Sequence, residues 1–297
     1  MDITSHQREV WPQTPGREAL YSQWCCFPPE KEGGGNSTES YLRKKIKSDF
    51  GNVRLNLCLV GHTGAGKSAF INSIVSISKG RIADVSSVKS EDIGGVGTMK
   101  LLRIQGKTTD LFSQVNVFDT MGFTLAKSPE DNGITDKDLK AVLEGEVEIN
   151  YKFSSAGSER TGYHKRQENK PHCVIIVVSA ELLQNMQLHG DSVLTRKMGN
   201  LHSFIPSDVS RIVVITCCDK ISESVHQNVT EIYKSKTIYS IVQKATKVFG
   251  TPENMVFPII NYYKELSPNP EKNVPILYAL LFALNFAADR QELRTQT

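Results

Sequence analysis

The sequence predicts an α/β fold, with a mostly parallel sheet covered by helices on both faces. Short apolar runs alternate with helix-period stretches, the runs are apolar almost without interruption, and the first run passes through a glycine-rich bend straight into a helix. Val53, Leu55, Leu57, Leu59 and Val60 make the first strand. Residues 67–77 make the helix after it, with Phe70, Ile71 and Ile74 facing inward. Runs at 101–104, 115–118, 173–178, 211–215 and 255–260 read as further strands.

Two helices are read between the later strands. Val193, Met198, Leu201 and Phe204 fit one, and Ile232, Ile238, Ile241, Val242, Ala245 and Val248 fit a longer one. The apolar stretch 276–288 contains Asn285, runs into Asp289 and Arg290, and is shorter than the roughly 20 residues a bilayer span needs. It reads as a buried helix, and no transmembrane segment is expected.

At 297 residues, one core with flanking segments is the expectation. Residues 1–50 read as an irregular lead-in, because Pro12, Pro15, Pro28, Pro29 and the run Gly33-Gly34-Gly35 break any sustained period. Trp11, Tyr21, Trp24 and Phe27 within it predict packing on the domain that follows. Residues 51–297 read as that domain, with a polar, glycine-dotted insertion at about 125–171. Inside the insertion, 136–147 can form a helix on Leu139, Val142 and Leu143, while 154–170 reads as a mobile loop.

Composition excludes more than it assigns. A formal charge of +3 is too near balance for a dedicated nucleic-acid surface. Cys25, Cys26, Cys58, Cys173, Cys217 and Cys218 show no CxxC spacing and no companion histidines at ligand spacing, which argues for reduced thiols and against structural zinc. The polar N-terminus carries no apolar signal core, and a cytoplasmic protein is expected.

The chemistry lies at strand ends. Gly61-His62-Thr63-Gly64-Ala65-Gly66-Lys67-Ser68 matches GxxxxGK[ST] in full, between the predicted strand and its helix. Successive main-chain N–H groups wrap a phosphate only where bulky side chains stay away, which Gly61, Gly64 and Gly66 permit, and the helix N-terminus adds its dipole. The fold class sharpens accordingly to a three-layer P-loop nucleotide-binding domain of the G-domain type. The candidate phosphate contacts run from Gly61 through Ala69. Lys67 would reach the β and γ phosphates, and the Ser68 hydroxyl would enter a magnesium shell.

Asp119-Thr120-Met121-Gly122 closes the run 115–118 as a DxxG turn. Asp119 would hold magnesium through water, and the Gly122 N–H would sense the γ phosphate. After the run 211–215, Thr216-Cys217-Cys218-Asp219 resembles the guanine-reading [NT]KxD pattern with its lysine missing. A carboxylate at Asp219 can accept from guanine N1 and N2, a donor pair that adenine lacks, so guanine leads as the base. Asn261 stands where a last base-contacting loop would lie, and Thr216 joins it as a candidate cofactor contact.

Hydrolysis is the weaker expectation. The residue after DxxG is Phe123, which cannot orient water by hydrogen bonding. Lys67 and Thr98 are the catalytic candidates, with Ser86 and Ser87 as alternatives to Thr98. Slow turnover follows. The basic insertion residues Arg160, Lys165 and Arg166 read as solvated.

Taken together, these motifs resemble the interferon-induced protein 44 family from Val53 to the C-terminus. The resemblance is carried by the P-loop with Ser68-Ala69-Phe70-Ile71-Asn72-Ser73, the 119–122 turn, and the insertion marked by Gly133, Asp138, Leu139, Leu143, Gly145, Tyr151 and Phe153. It continues through Pro171-His172-Cys173-Val174, Thr216 to Asp219, Asn261-Tyr262 and Ala287-Ala288-Asp289. It implies a GTPase-like protein of the interferon or innate antiviral response, using GTP or GDP with magnesium. At the family's switch position this chain has Ile93 or Gly94, which leaves metal coordination by that loop open. Two other readings stand: an interaction protein with a fixed nucleotide and immune-signalling partners, and an ATP-using P-loop kinase. Whether two chains meet as a homodimer across the nucleotide is not readable from the sequence.

Overall fold

The computed structural model describes residues 35–86, 101–105, 111, 113–123, 133–153, 167–186 and 198–296. Its strands are β1 (Asn56–Gly61), β2 (Leu102–Gln105), β3 (Asn116–Asp119), β4 (Cys173–Ser179), β5 (Ser210–Thr216) and β6 (Val256–Pro258). They form one sheet in the order β2-β3-β1-β4-β5-β6. Only β2 runs antiparallel to its neighbour; β3, β1, β4, β5 and β6 pair in parallel. The expected α/β class with a mostly parallel sheet is observed.

The unbroken apolar character of the strands follows from having two faces to bury. Cys58 and Val60 of β1 join Val174, Ile176, Val213 and Ile215 in one core. Leu57 and Leu59 join Ile175, Val177, Ile212 and Val214 in the other. Because side chains alternate along a strand, each core takes every second residue of the same central strands.

The first core is covered by α3 (Asp136–Leu143), α4 (Ala180–Asn185), α5 (Leu201–Phe204), α6 (Glu223–Gln227) and α7 (Lys236–Phe249). The second is covered by α1 (Gly35–Phe50), α2 (Lys67–Lys79) and α8 (Pro270–Thr295). No helix among the described residues is long and apolar enough to cross a membrane.

One expectation is corrected. The lead-in is not irregular to residue 50, because Gly35–Phe50 is a sixteen-residue helix. Leu42, Ile46 and Phe50 recur every four residues along α1 and are buried, which places them on one helical face. The glycines before them marked an entry to a helix; burial of that face against α8 outweighs the poor start. Residues 1–34, with their aromatic side chains, lie outside the described residues.

Arg43 fixes α1 to the phosphate-loop helix. Its guanidinium donates to the carbonyls of Ile77 at 2.6 Å and Ser78 at 3.3 Å. These are last-turn carbonyls of α2, where the helix dipole favours a cation, and the Ile77 carbonyl also accepts from the capping Gly80 N–H. Arg43→Ala should therefore cost about 1–2 kcal/mol of stability, measured by denaturant unfolding. An unchanged unfolding midpoint would show that α1 is held by its apolar face alone.

The insertion is partly core. Thr135 caps α3 by accepting from the Asp138 N–H, and Leu139, Val142, Leu143, Val147 and Phe153 are buried in the first core. Residues 154–166, within the expected mobile loop, lie outside the described residues. Lys170 pairs with Asp208 at 3.0 Å, and Arg294 of α8 reaches the same carboxylate at 3.0 Å, tying the end of the insertion to the C-terminal helix.

Candidate functional site

The strand order places the site. β1 lies between β3 and β4, so the loops leaving the C-terminal ends of these strands and of β5 crowd around one crevice, the usual ligand position in an open α/β sheet. The loop 62–66 joins β1 to α2, and Asp119, Ser179 and Thr216 end the neighbouring strands β3, β4 and β5.

A loop that captures an anion on main-chain N–H groups must turn its carbonyls elsewhere. Here the carbonyls are held one by one. Lys67 Nζ donates to the Gly61 and His62 oxygens at 3.2 and 3.1 Å. His62 Nδ1 lies 2.8 Å from the Thr63 oxygen, Thr216 Oγ1 donates to the Ala65 oxygen at 2.7 Å, and Asn261 Nδ2 donates to the Gly66 oxygen at 3.1 Å. Three of these carbonyls also take main-chain partners: the Phe123 N–H donates to Gly61, the Ala65 N–H to His62 and the Phe70 N–H to Gly66.

Lys67 is 6% exposed. Burial pushes its amine down to about 8, against the attraction of the nearby Asp119 carboxylate, which raises it. Ser68 Oγ donates to Asp119 Oδ2 at 2.6 Å, and Asp119 is fully buried at the end of β3. A hydroxyl and a carboxylate held together beside the lysine are hard oxygen donors. They fit magnesium, which takes one or two protein oxygens and completes its shell with phosphate and water.

The DxxG turn packs directly on the loop. Thr120 Oγ1 donates to the Leu59 oxygen at 2.7 Å, and the Thr63 N–H donates to the Phe123 oxygen at 3.0 Å. His62 and Phe123 form a parallel bridge that extends the β1–β3 pairing past the strand ends. A Cβ on Gly122 would lie 2.5 Å from Thr63 N, so only glycine fits this approach. Phe123 itself is buried in the first core.

Beyond the end of β5, Cys217 follows with a left-handed φ of 57°, a rare conformation for a residue with a side chain. It turns the chain into the short helix Cys218–Lys220, which carries Asp219. Cys218 is buried, and Asp219 is half-buried. Among the described residues no side chain bonds the Asp219 carboxylate, whereas Lys220 beside it pairs with Glu181 at 3.1 Å. Burial raises the Cys217 thiol above its ordinary range, with Thr216 and Lys220 opposing.

The structure thus gathers the loop from Gly61 through Ala69, Asp119, Gly122, Thr216 and Asn261 into one constellation, with Asp219 at its edge. Thr98, Ser87, Ile93, Gly94, Arg160, Lys165 and Arg166 lie outside the described residues. Ser86 is described and buried; its hydroxyl is in bonding range of the Ser68 carbonyl and of Asn72 Oδ1. The sequence points to Asn261 as a base contact and Thr216 as a cofactor contact, and in the fold their side chains hold the Gly66 and Ala65 carbonyls of the loop. The part played by Phe123 main-chain groups and by Ser179 carried no motif signal.

No family model matches the chain. The Homo sapiens protein named interferon-induced protein 44-like is 26% identical over 242 residues, covering 79% of this chain and 52% of that protein. The Mus musculus interferon-induced protein 44 is 25% identical over 231 residues, 75% of this chain and 52% of that protein. This chain is similar to the interferon-induced protein 44 proteins. The Homo sapiens interferon-induced protein 44 adds 22% identity over 241 residues, again 52% of its length. The chain spans about half the length of these curated relatives, and the resemblance carried by its motifs is borne out over that half.

Among solved structures, one described as "a probable GTP-binding protein engB" aligns with 78% of this chain and 97% of its own at 14% identity and a TM-score of 0.41. The fold rests on the strand order above and needs nothing from so loose a likeness.

Proposed function

We propose that this chain binds a guanine nucleotide with magnesium and hydrolyses GTP slowly. The observation that carries the reading is the loop whose carbonyls are held outward while Lys67, Ser68 and Asp119 converge beside it. The Thr63 and Ala65 N–H groups are bonded within the protein, so anion capture falls to the N–H groups at the start of α2, and the ammonium and the hard oxygens suit a magnesium-bound polyphosphate. The half-buried Asp219 carboxylate beyond β5 supports guanine as the base, since it accepts two hydrogen bonds where guanine donates two. The names of the similar proteins support a place in an interferon response, and we extend this to innate antiviral defence in the cytoplasm.

Slow turnover rests on Phe123. Its ring is buried and its main chain is bonded to the loop, so the position after DxxG offers no side chain to orient water. The same clamp favours a second reading, in which the nucleotide is a fixed structural element and the surface serves protein partners. A DxxG turn pinned by two main-chain bonds has little freedom to report loss of the γ phosphate. Comparable affinity for GTP and GDP would favour this second reading over a switch.

Calorimetric titration with GTP, GDP and ATP in magnesium tests the proposal. GTP should bind at least tenfold more tightly than ATP, and Asp219→Ala should remove most of that preference, since a charge-assisted acceptor contributes about 1.5–3 kcal/mol. Equal affinity for ATP and GTP, unmoved by Asp219→Ala, would replace guanine with a non-selective or ATP-using site.

A further inference from the structure

The first variable residue of the phosphate loop is a histidine whose ring faces inward. His62 is 6% exposed. Nε2 lies 3.3 Å from the Ser179 N–H, which can only donate, so Nε2 accepts. Nδ1 lies 2.8 Å from the Thr63 carbonyl, which can only accept, so Nδ1 carries the proton. The Ser179 hydroxyl, 3.5 Å from Nε2, can donate to it as well, and the contacts together select the neutral ring protonated at Nδ1.

Each contact has a consequence for anion capture. A carbonyl turned into the phosphate hollow would repel phosphate oxygens, and the Thr63 carbonyl is followed by Gly64, where the chain is otherwise free to rotate. His62 Nδ1 holds this carbonyl, as Lys67, Thr216 and Asn261 hold the others. The second contact anchors the loop to a rigid point, because Ser179 ends β4 and caps α4, its Oγ accepting from the Leu182 N–H. The ring thus ties the loop to the central sheet on the side opposite the Phe123 bridge.

We propose that His62 is a positioning residue of the phosphate cradle, its Nδ1–H turning the Thr63 carbonyl away from the anion while Nε2 fastens the loop to the Ser179 amide. The proposal rests on the reading of this loop as a polyphosphate site and adds to it a residue that the GxxxxGK[ST] pattern leaves variable. Asparagine places an N–H donor where Nδ1 stands, and glutamine places its amide nearer to Nε2. The two substitutions therefore separate the contacts.

The test measures affinity of wild type, His62→Asn, His62→Gln and His62→Ala for GTP and for inorganic tripolyphosphate, with unfolding midpoints of the nucleotide-free proteins alongside. His62→Asn should bind within about threefold of wild type, while His62→Gln and His62→Ala should lose about tenfold or more for both probes, the scale of one hydrogen bond. Equal binding by all four proteins overturns the proposal, as does a His62→Asn loss as large as that of His62→Ala. Wild type binding tripolyphosphate but not GTP would defeat the guanine reading and leave the His62 comparison intact. Binding of neither would defeat both. A nitrogen-resolved NMR spectrum of the folded wild type gives an independent check: protonation at Nδ1 alone is expected, and protonation at Nε2 or at both nitrogens overturns the proposal whatever the variants do.

Discussion

Lys67→Met should make the nucleotide-free protein more stable while abolishing tight triphosphate binding. The ammonium is buried at 6% exposure, and its contacts are two carbonyl oxygens and a nearby carboxylate instead of water. Burial holds its pKa at about 8 against an ordinary 10.5, so the unfolded chain binds the proton more tightly than the folded one. The cost is present in full below pH 8 and fades as pH rises from 8 through 10.5. Methionine keeps most of the stem and removes the charge. The Gly61 and His62 carbonyls it abandons keep their main-chain donors, Phe123 N–H and Ala65 N–H.

We expect a gain of about 1–2 kcal/mol at pH 7, read by denaturant unfolding, with the gap closing toward pH 10. Affinity for GTP should fall at least a hundredfold, because a buried cation facing polyphosphate is lost. Phosphate release by the variant should fall to background. In wild type, a bound polyphosphate restores the lysine's proton affinity, so binding above pH 8 should take up a proton and weaken as pH rises further. A variant less stable than wild type at pH 7 would mean that the two carbonyl bonds outweigh the desolvation of the ammonium.

Much of this was legible in the sequence, for a physical reason. Strands with two buried faces cannot hide their composition, so the runs 173–178 and 211–215 mark β4 and β5 to within a residue at either end. The loop from Gly61 to Ser68 was legible because phosphate capture leaves little freedom in residue type. Helix α1 was missed because its evidence is tertiary: Leu42, Ile46 and Phe50 make a sparse stripe whose worth depends on α8, more than two hundred residues away. The roles of Thr216 and Asn261 as holders of the Ala65 and Gly66 carbonyls were hidden likewise, since a motif reports which residues surround a ligand and not which of them brace the loop. Phe123 illustrates the limit most sharply. Its side chain was read for what it could not do to water, while its N–H and C=O, common to almost every residue, join the turn to the loop.

That junction supports the second large effect, expected for Gly122→Ala. The added methyl would sit 2.5 Å from Thr63 N, 2.6 Å from Thr63 Cα and 2.8 Å from the His62 carbonyl carbon. All three are main-chain atoms between two strands' ends, so no side chain can swing away to make room, and the loop and turn must part. Parting breaks Phe123 N–H to Gly61 and Thr63 N–H to Phe123, and pulls the Phe123 ring from its buried seat. Overpacking of this kind costs about 1–3 kcal/mol, and each lost main-chain bond adds about 1 kcal/mol. We expect a fall of about 3–5 kcal/mol in unfolding free energy together with at least a tenfold loss of GTP affinity. Gly64→Ala serves as the control: nothing lies within 4 Å of its added methyl, and its φ of +79° imposes only the left-handed strain of about 1–2 kcal/mol. Should Gly122→Ala bind GTP like wild type while losing stability, the contact between turn and loop would be packing alone. GTP and GDP affinities that then differ widely would have to be explained by another segment of the chain.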